Sequence, residues 1–173
     1  MELTLGQQKI LQDLNDYWDY ARNSGLRQKW LNQYLANLKN YCGDQWSEEV
    51  LQKIEDIQAT PYTINRIEPL INAYSSLQIQ SNKRIGFKST TDQPLHEELA
   101  DYLSYMAHVI QTQNDFSFYS SLKYTSALIG GIGWSHFGYE NDQFFYDYVD
   151  PREVYWDPDD ISPRLEQSNF ICR

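Results

Sequence analysis

The residues best able to do chemistry are carboxylates. Glu140, Asp142, Asp147, Asp150, Glu153, Asp157, Asp159 and Asp160 crowd one stretch in which Arg152 is the only base. Side chains at that density could hold a divalent cation, because hard cations need several oxygens converging on one point. The run Asp157-Pro158-Asp159-Asp160 lacks the alternating ligands and turn glycine of a calcium loop, so it reads first as a solvated acidic loop. A metal-dependent phosphoesterase built on residues 147–160 is the alternative. Such an enzyme usually adds a Lys or His to position water at the phosphate, and no lysine follows Lys123.

Other chemistries find less. His96, His108 and His136 are isolated from one another, the first two on a helical pattern and the third on a strand pattern, and read as surface or core histidines. Ser135 follows Trp134 inside a strand pattern rather than at a strand-to-helix turn, and Gly-x-Ser-x-Gly is absent. Gly130-Gly131-Ile132-Gly133 is glycine-rich, but a phosphate loop follows a strand, opens a helix and carries Lys-Ser or Lys-Thr. Here a helix precedes the glycines and a strand follows. The pattern therefore implies a helix C-cap and a close backbone approach. No catalytic residue, cofactor site or metal site is expected.

The elements that would position these residues follow from periodicity. Ile10, Leu11, Leu14, Tyr17 and Trp18 predict one amphipathic helix, and Trp30, Leu31, Tyr34, Leu35 and Leu38 a second after Asn23-Ser24-Gly25. Ser47 is placed to cap a third, with Val50, Leu51, Ile54 and Ile57 as its buried stripe. A fourth runs from Thr63, with Pro69 tolerated in its first turn. Residues 82–87 look extended. Pro94 opens a fifth, with Leu95, Leu99, Tyr102, Leu103, Met106 and Ile110 on one face, and residues 116–129 form a sixth. Alternation from Ile132, a turn at Glu140-Asn141-Asp142, a return over 144–149 and a short strand at Val154-Tyr155-Trp156 complete the chain. The expected class is α+β: a helical portion over 1–130, then antiparallel strands over 131–173, as one structural unit.

Composition narrows the function. With 41% apolar and 15% aromatic residues the 173-residue chain is globular, of a size for one domain. Fourteen basic residues against 24 acidic ones give a net charge of −10, the wrong sign for gripping phosphate backbones. Cys42 and Cys172 have no metal-ligand or redox spacing and read as reduced thiols. The start of the sequence lacks a basic region followed by an apolar one, and no apolar run approaches the roughly 20 residues of a membrane span. A soluble protein with no membrane partner is expected.

Five segments in a fixed order resemble the portal proteins of short-tailed double-stranded DNA bacteriophages. Tyr41-Cys42-Gly43-Asp44-Gln45-Trp46 is similar to that family's Tyr-x-Gly-x-Gln-Trp. Thr63-Ile64-Asn65-Arg66-Ile67-Glu68-Pro69 resembles its Asn-x-Ile-x-Pro segment and leads to Asn82-Lys83-Arg84. Asn114-Asp115-Phe116 precedes a helix delivering the chain into Gly131-Ile132-Gly133-Trp134. Val149-Asp150-Pro151-Arg152-Glu153-Val154-Tyr155-Trp156-Asp157-Pro158 is close to Val-x-Pro-x-x-Val-x-Trp-Asp-Pro. The resemblance begins near Tyr41, with the preceding residues similar only in being helical. It marks Tyr41, Gly43, Gln45, Trp46, Asn65, Arg66, Pro69, Gly131, Gly133, Trp134, Asp150, Pro151, Trp156, Asp157 and Pro158 as structural or interface candidates. Trp46 reads equally as core or interface, and Arg66 as a surface salt bridge or a fixed contact between helices or subunits.

The resemblance implies part of the wing region, the N-terminal portion of a longer portal protein. It further implies a ring homo-oligomer of about twelve copies at one capsid vertex. The ring would nucleate head assembly with major capsid and scaffolding proteins, dock the terminase motor and the tail adaptors, and pass double-stranded DNA non-specifically. Assembly would occur in the bacterial cytoplasm and the product would reside in the virion. A helical adaptor binding a partner through its aromatic face is a further alternative.

Overall fold

A computed structural model describes residues 4–81, 84–160, 162 and 165–173. Asn82 and Lys83 of the Asn82-Lys83-Arg84 segment lie outside the described residues, as do the first three positions. Among the described residues there are six helices followed by four short strands, the expected α+β class. The chain divides into two compact units, one of Met1–Asn65 with Asp150–Arg173 and the other of Arg66–Val149. Residue 130, where helix gives way to strand, falls inside the second of these.

In the first unit, α1 (Leu5–Asn23) starts with a capping box in which the Thr4 hydroxyl and the Gln7 side chain each take an amide of the other residue. Ser24 turns the chain into α2 (Gly25–Tyr41). α3 (Glu48–Asp56) carries Glu48 and Glu49 at its positive end. Ser47 caps α3 through its carbonyl, which accepts from the Val50 and Leu51 amides, while its hydroxyl makes no cap bond. The expected hydroxyl cap is therefore corrected: an exposed helix start can leave its spare amides to water. The stripe on α3 is likewise not buried, with Ile57 just beyond it 74% exposed. Two strands, β3 (Tyr155–Trp156) and β4 (Ile171–Cys172), pair antiparallel after a 3₁₀ turn at Pro151–Glu153.

The second unit begins with α4 (Ile67–Gln80), four residues later than Thr63, because Asn65 is committed to a hydrogen bond in the preceding corner. Pro69 still falls in the first turn, where its missing amide costs least. α5 (Pro94–Gln113) has Pro94 at its first position as expected, but buries only Ala100 fully. α6 (Phe116–Gly130) leads into the hairpin of β1 (Trp134–Glu140) and β2 (Gln143–Val149). Asn141 and Asp142, at φ 50 and 61, form the two-residue turn that matches strand twist. The described strands thus make two separate two-stranded ladders, because β3 finds β4 rather than extending the hairpin.

Candidate functional site

The first two motif segments meet in one corner of the first unit. Helix α2 ends with paired bonds, from the Gly43 amide to the Asn40 carbonyl and from the Asp44 amide to the Lys39 carbonyl. That Schellman end requires a left-handed residue, and Gly43 sits at φ 85. The Asn65 amide group donates to the Tyr41 carbonyl at 2.7 Å, and a Cβ on Gly43 would come 3.4 Å from that same group. Beside them the Trp46 indole donates to the Thr63 hydroxyl at 2.7 Å. A helix end and a chain segment about twenty residues away are thereby fixed to each other.

The last segment forms a second knot in the same unit. Asp150 accepts from the Arg152 amide at 2.8 Å and pairs with the Arg152 guanidinium through both oxygens, at 3.0 and 2.6 Å. That pairing holds the Asp150 carboxyl below its usual range against the opposing effect of burial. Pro151 and Val154 are buried. Trp156 meets Trp30 edge to face at 5.6 Å, and Tyr155 lies 4.3 Å from Trp18. Between these rings sits Arg27, only 5% exposed. Its guanidinium lies 4.8 to 5.4 Å from the ring centres of Trp30, Tyr155 and Trp156, and its Nη2 donates to the Arg152 carbonyl at 2.7 Å. Burial lowers the Arg27 pKa, offset in part by Tyr155. The aromatic faces supply the negative potential that a carboxylate would supply elsewhere.

Asp157, 3% exposed, accepts from the amides of Asp159 and Asn169 and from the Asn169 side chain at 2.7 Å. The Asp159 amide, ahead of the Asn169 groups, holds its carboxyl below the usual range. Asp160 takes the Ser162 and Gln167 amides and the Ser168 hydroxyl. Burial pushes Asp160 up, but the combined donors bring it below its usual value. Asp159 accepts from the Tyr20 hydroxyl. These oxygens hold the turn beside β3 together, and no group of three or more metal-ligating side chains converges among the described residues.

The glycine segment belongs to the second unit. Gly131 ends α6 at φ 80, and a Cβ on Gly133 would run into the Lys123 carbonyl. The close approach read from the sequence is thus present, set by the strand crossing back over α6. Trp134 opens β1 opposite Val149.

The fold does not gather every candidate. Gln45 and Arg66 are exposed, and Arg66 and Pro69 belong to the start of α4. Pro158 is half-buried in the turn that Asp157 caps. Sequence reasoning missed Arg27, Thr63 and Asn169. For Arg27 the available signal was a cation three residues before Trp30 on one helical face. Cys42 and Cys172 are free. No helix among the described residues is long and apolar enough to cross a membrane.

No curated protein matches the chain. A family model described as "Phage P22-like portal protein" matches residues 16–173, reaching back through most of α1 where the resemblance had been placed only from about Tyr41. The match takes in both knots, the glycine segment and the α1–α2 surface that holds Arg27, and the chain belongs to the phage P22-like portal protein family.

Proposed function

We propose that this chain is a subunit of a closed ring of about twelve copies at a unique capsid vertex, where heterologous contacts between neighbours close the circle. The ring serves as a nucleus for head assembly with capsid and scaffolding proteins, docks the terminase motor and later the tail adaptors, and lets genomic DNA through. Its work is mechanical, and no residue is assigned to catalysis. The observation that carries this reading is the family match over residues 16–173.

Two features support it. Apolar helix faces stay uncovered: Leu95 and Leu99 on α5 are 70% and 52% exposed, and neighbouring copies would cover such faces. A net charge of −10 suits a channel protein that lets DNA slide without holding it. The phosphoesterase alternative has no specific observation in its favour, since Asp157 and Asp160 spend their oxygens on local amides. Native mass spectrometry of the protein from phage-producing cells tests the proposal, reporting chain mass and copy number together. A ring of about twelve copies is the expected result, and a monomer would overturn it.

A further inference from the structure

Within the second unit, α4, α5, α6 and the start of β1 enclose an open-sided cavity of about 630 Å³. Among the described residues two cations line it, Arg84 and Lys123, and no carboxylate does. That is unusual in a chain with 24 acidic and 14 basic residues. Neither cation has an acidic partner among the described residues. Lys123 is half-buried; its ammonium lies 3.5 Å from the Ser135 hydroxyl and 5.9 Å from the Tyr146 ring centre, and it also bonds to the Tyr146 hydroxyl. In the same wall Gln78 Oε1 and Gln111 Nε2 are buried without a hydrogen-bond partner among the described residues.

Half-burying an ammonium without a counter-charge is costly, as is burying amide atoms that bond to nothing. An entering anion would relieve the first cost. Phe116 and Trp134 supply apolar wall for whatever carries the charge. A DNA phosphate is the poorer occupant, because the chain's overall charge repels a polyanion. The same surplus makes carboxylates abundant on every other copy, and a pocket that is positive inside a negative protein is complementary to its own surface.

We propose that this cavity receives an Asp or Glu side chain, flanked by apolar residues, from a second copy of the chain. The proposal rests on the ring reading and specifies one of its contacts. The test uses the full chain, mixed in equal parts as ordinary and heavy-nitrogen-labelled protein and treated with a carbodiimide, which joins an amine to a carboxylate only in direct contact. The expected product is a mixed-isotope peptide joining Lys123 to an Asp or Glu. Lys123→Glu, and independently Arg84→Glu at an exposed position, should cut the assembled fraction by about tenfold or more, while Lys123→Arg keeps the charge and the assembly. If copies assemble but Lys123 gives no mixed-isotope link, the cavity contact is wrong and the ring reading stands. If labelled and ordinary copies never associate, both fall. A DNA duplex that shields Lys123 and loses binding in Lys123→Gln would assign the cavity to phosphate and overturn the proposal.

Discussion

The first unit packs aromatic rings around one buried guanidinium, whereas the second joins its helices and hairpin through hydroxyl groups. In the first, Trp30, Tyr155 and Trp156 surround Arg27, with Trp18 packed on Tyr155, and the acidic turn beside them is tied by amides. In the second, Ser75 on α4 meets Thr125 on α6 at 2.8 Å, while Ser120 and Ser126 on α6 meet the hydroxyls of Tyr146 and Tyr148 on β2 at 3.2 and 2.7 Å. Small side chains let elements approach closely but bury little apolar area, so each contact contributes little and many are needed. Large rings concentrate stability at a few positions. The two units should therefore fail differently under substitution.

The largest loss is expected at the centre of the aromatic knot. Arg27→Ala removes three ring contacts and the donor to the Arg152 carbonyl, and should cost about 3 kcal/mol in urea unfolding followed by tryptophan fluorescence. A loss below about 1 kcal/mol would mean the rings hold the unit without the cation. Next in size is Gly133→Ala, where the new methyl meets backbone and the hairpin must shift, at about 2 kcal/mol. Gly6→Ala in α1 is its control: the Cβ there has open space, and helix propensity should make the change neutral or stabilising by up to about 1 kcal/mol. Ser75→Ala should be smaller again, about 1 kcal/mol, because one hydroxyl among several in the seam is lost.

Helix placement was legible because periodicity is local: Pro94 at the first position of α5 and Gly131 at the end of α6 both followed from residue type and order. Coverage was not. Val50 and Leu51 on α3, like Leu95 and Leu99 on α5, have the spacing of a core stripe, yet spacing defines a face without saying what lies against it. The candidate site was legible in pieces. Gly43 and Asn65 each stood out, but their meeting depends on how the chain returns after α3, which no local pattern carries. Arg27 was hidden for a related reason, since the rings that stabilise it come from Trp30 nearby and from Tyr155 and Trp156 far along the chain. Asn65 and Arg66, like Val149 and Asp150, are also the places where the chain passes between the units.

The smallest effect, and the one that separates the units by condition, is acid sensitivity. Asp150, Asp157 and Asp160 all belong to the first unit and all have carboxyls held below the usual range. A depressed folded-state pKa contributes stability that is fully present above the unfolded value of about 3.9 and is lost as pH falls through the folded value. The first unit should therefore loosen before the second as pH drops below about 4. Hydrogen exchange measured from neutral pH downward would show amides near β3 and the turn at Asp157 losing protection ahead of those in the β1–β2 hairpin. Asp157→Asn keeps a side-chain oxygen for the Asn169 amide but cannot titrate, so it should flatten the pH dependence at β3 at the cost of lower protection at neutral pH. Simultaneous loss in both units would mean that they unfold as one cooperative body, with the hydroxyl seam drawing on the aromatic knot for its stability.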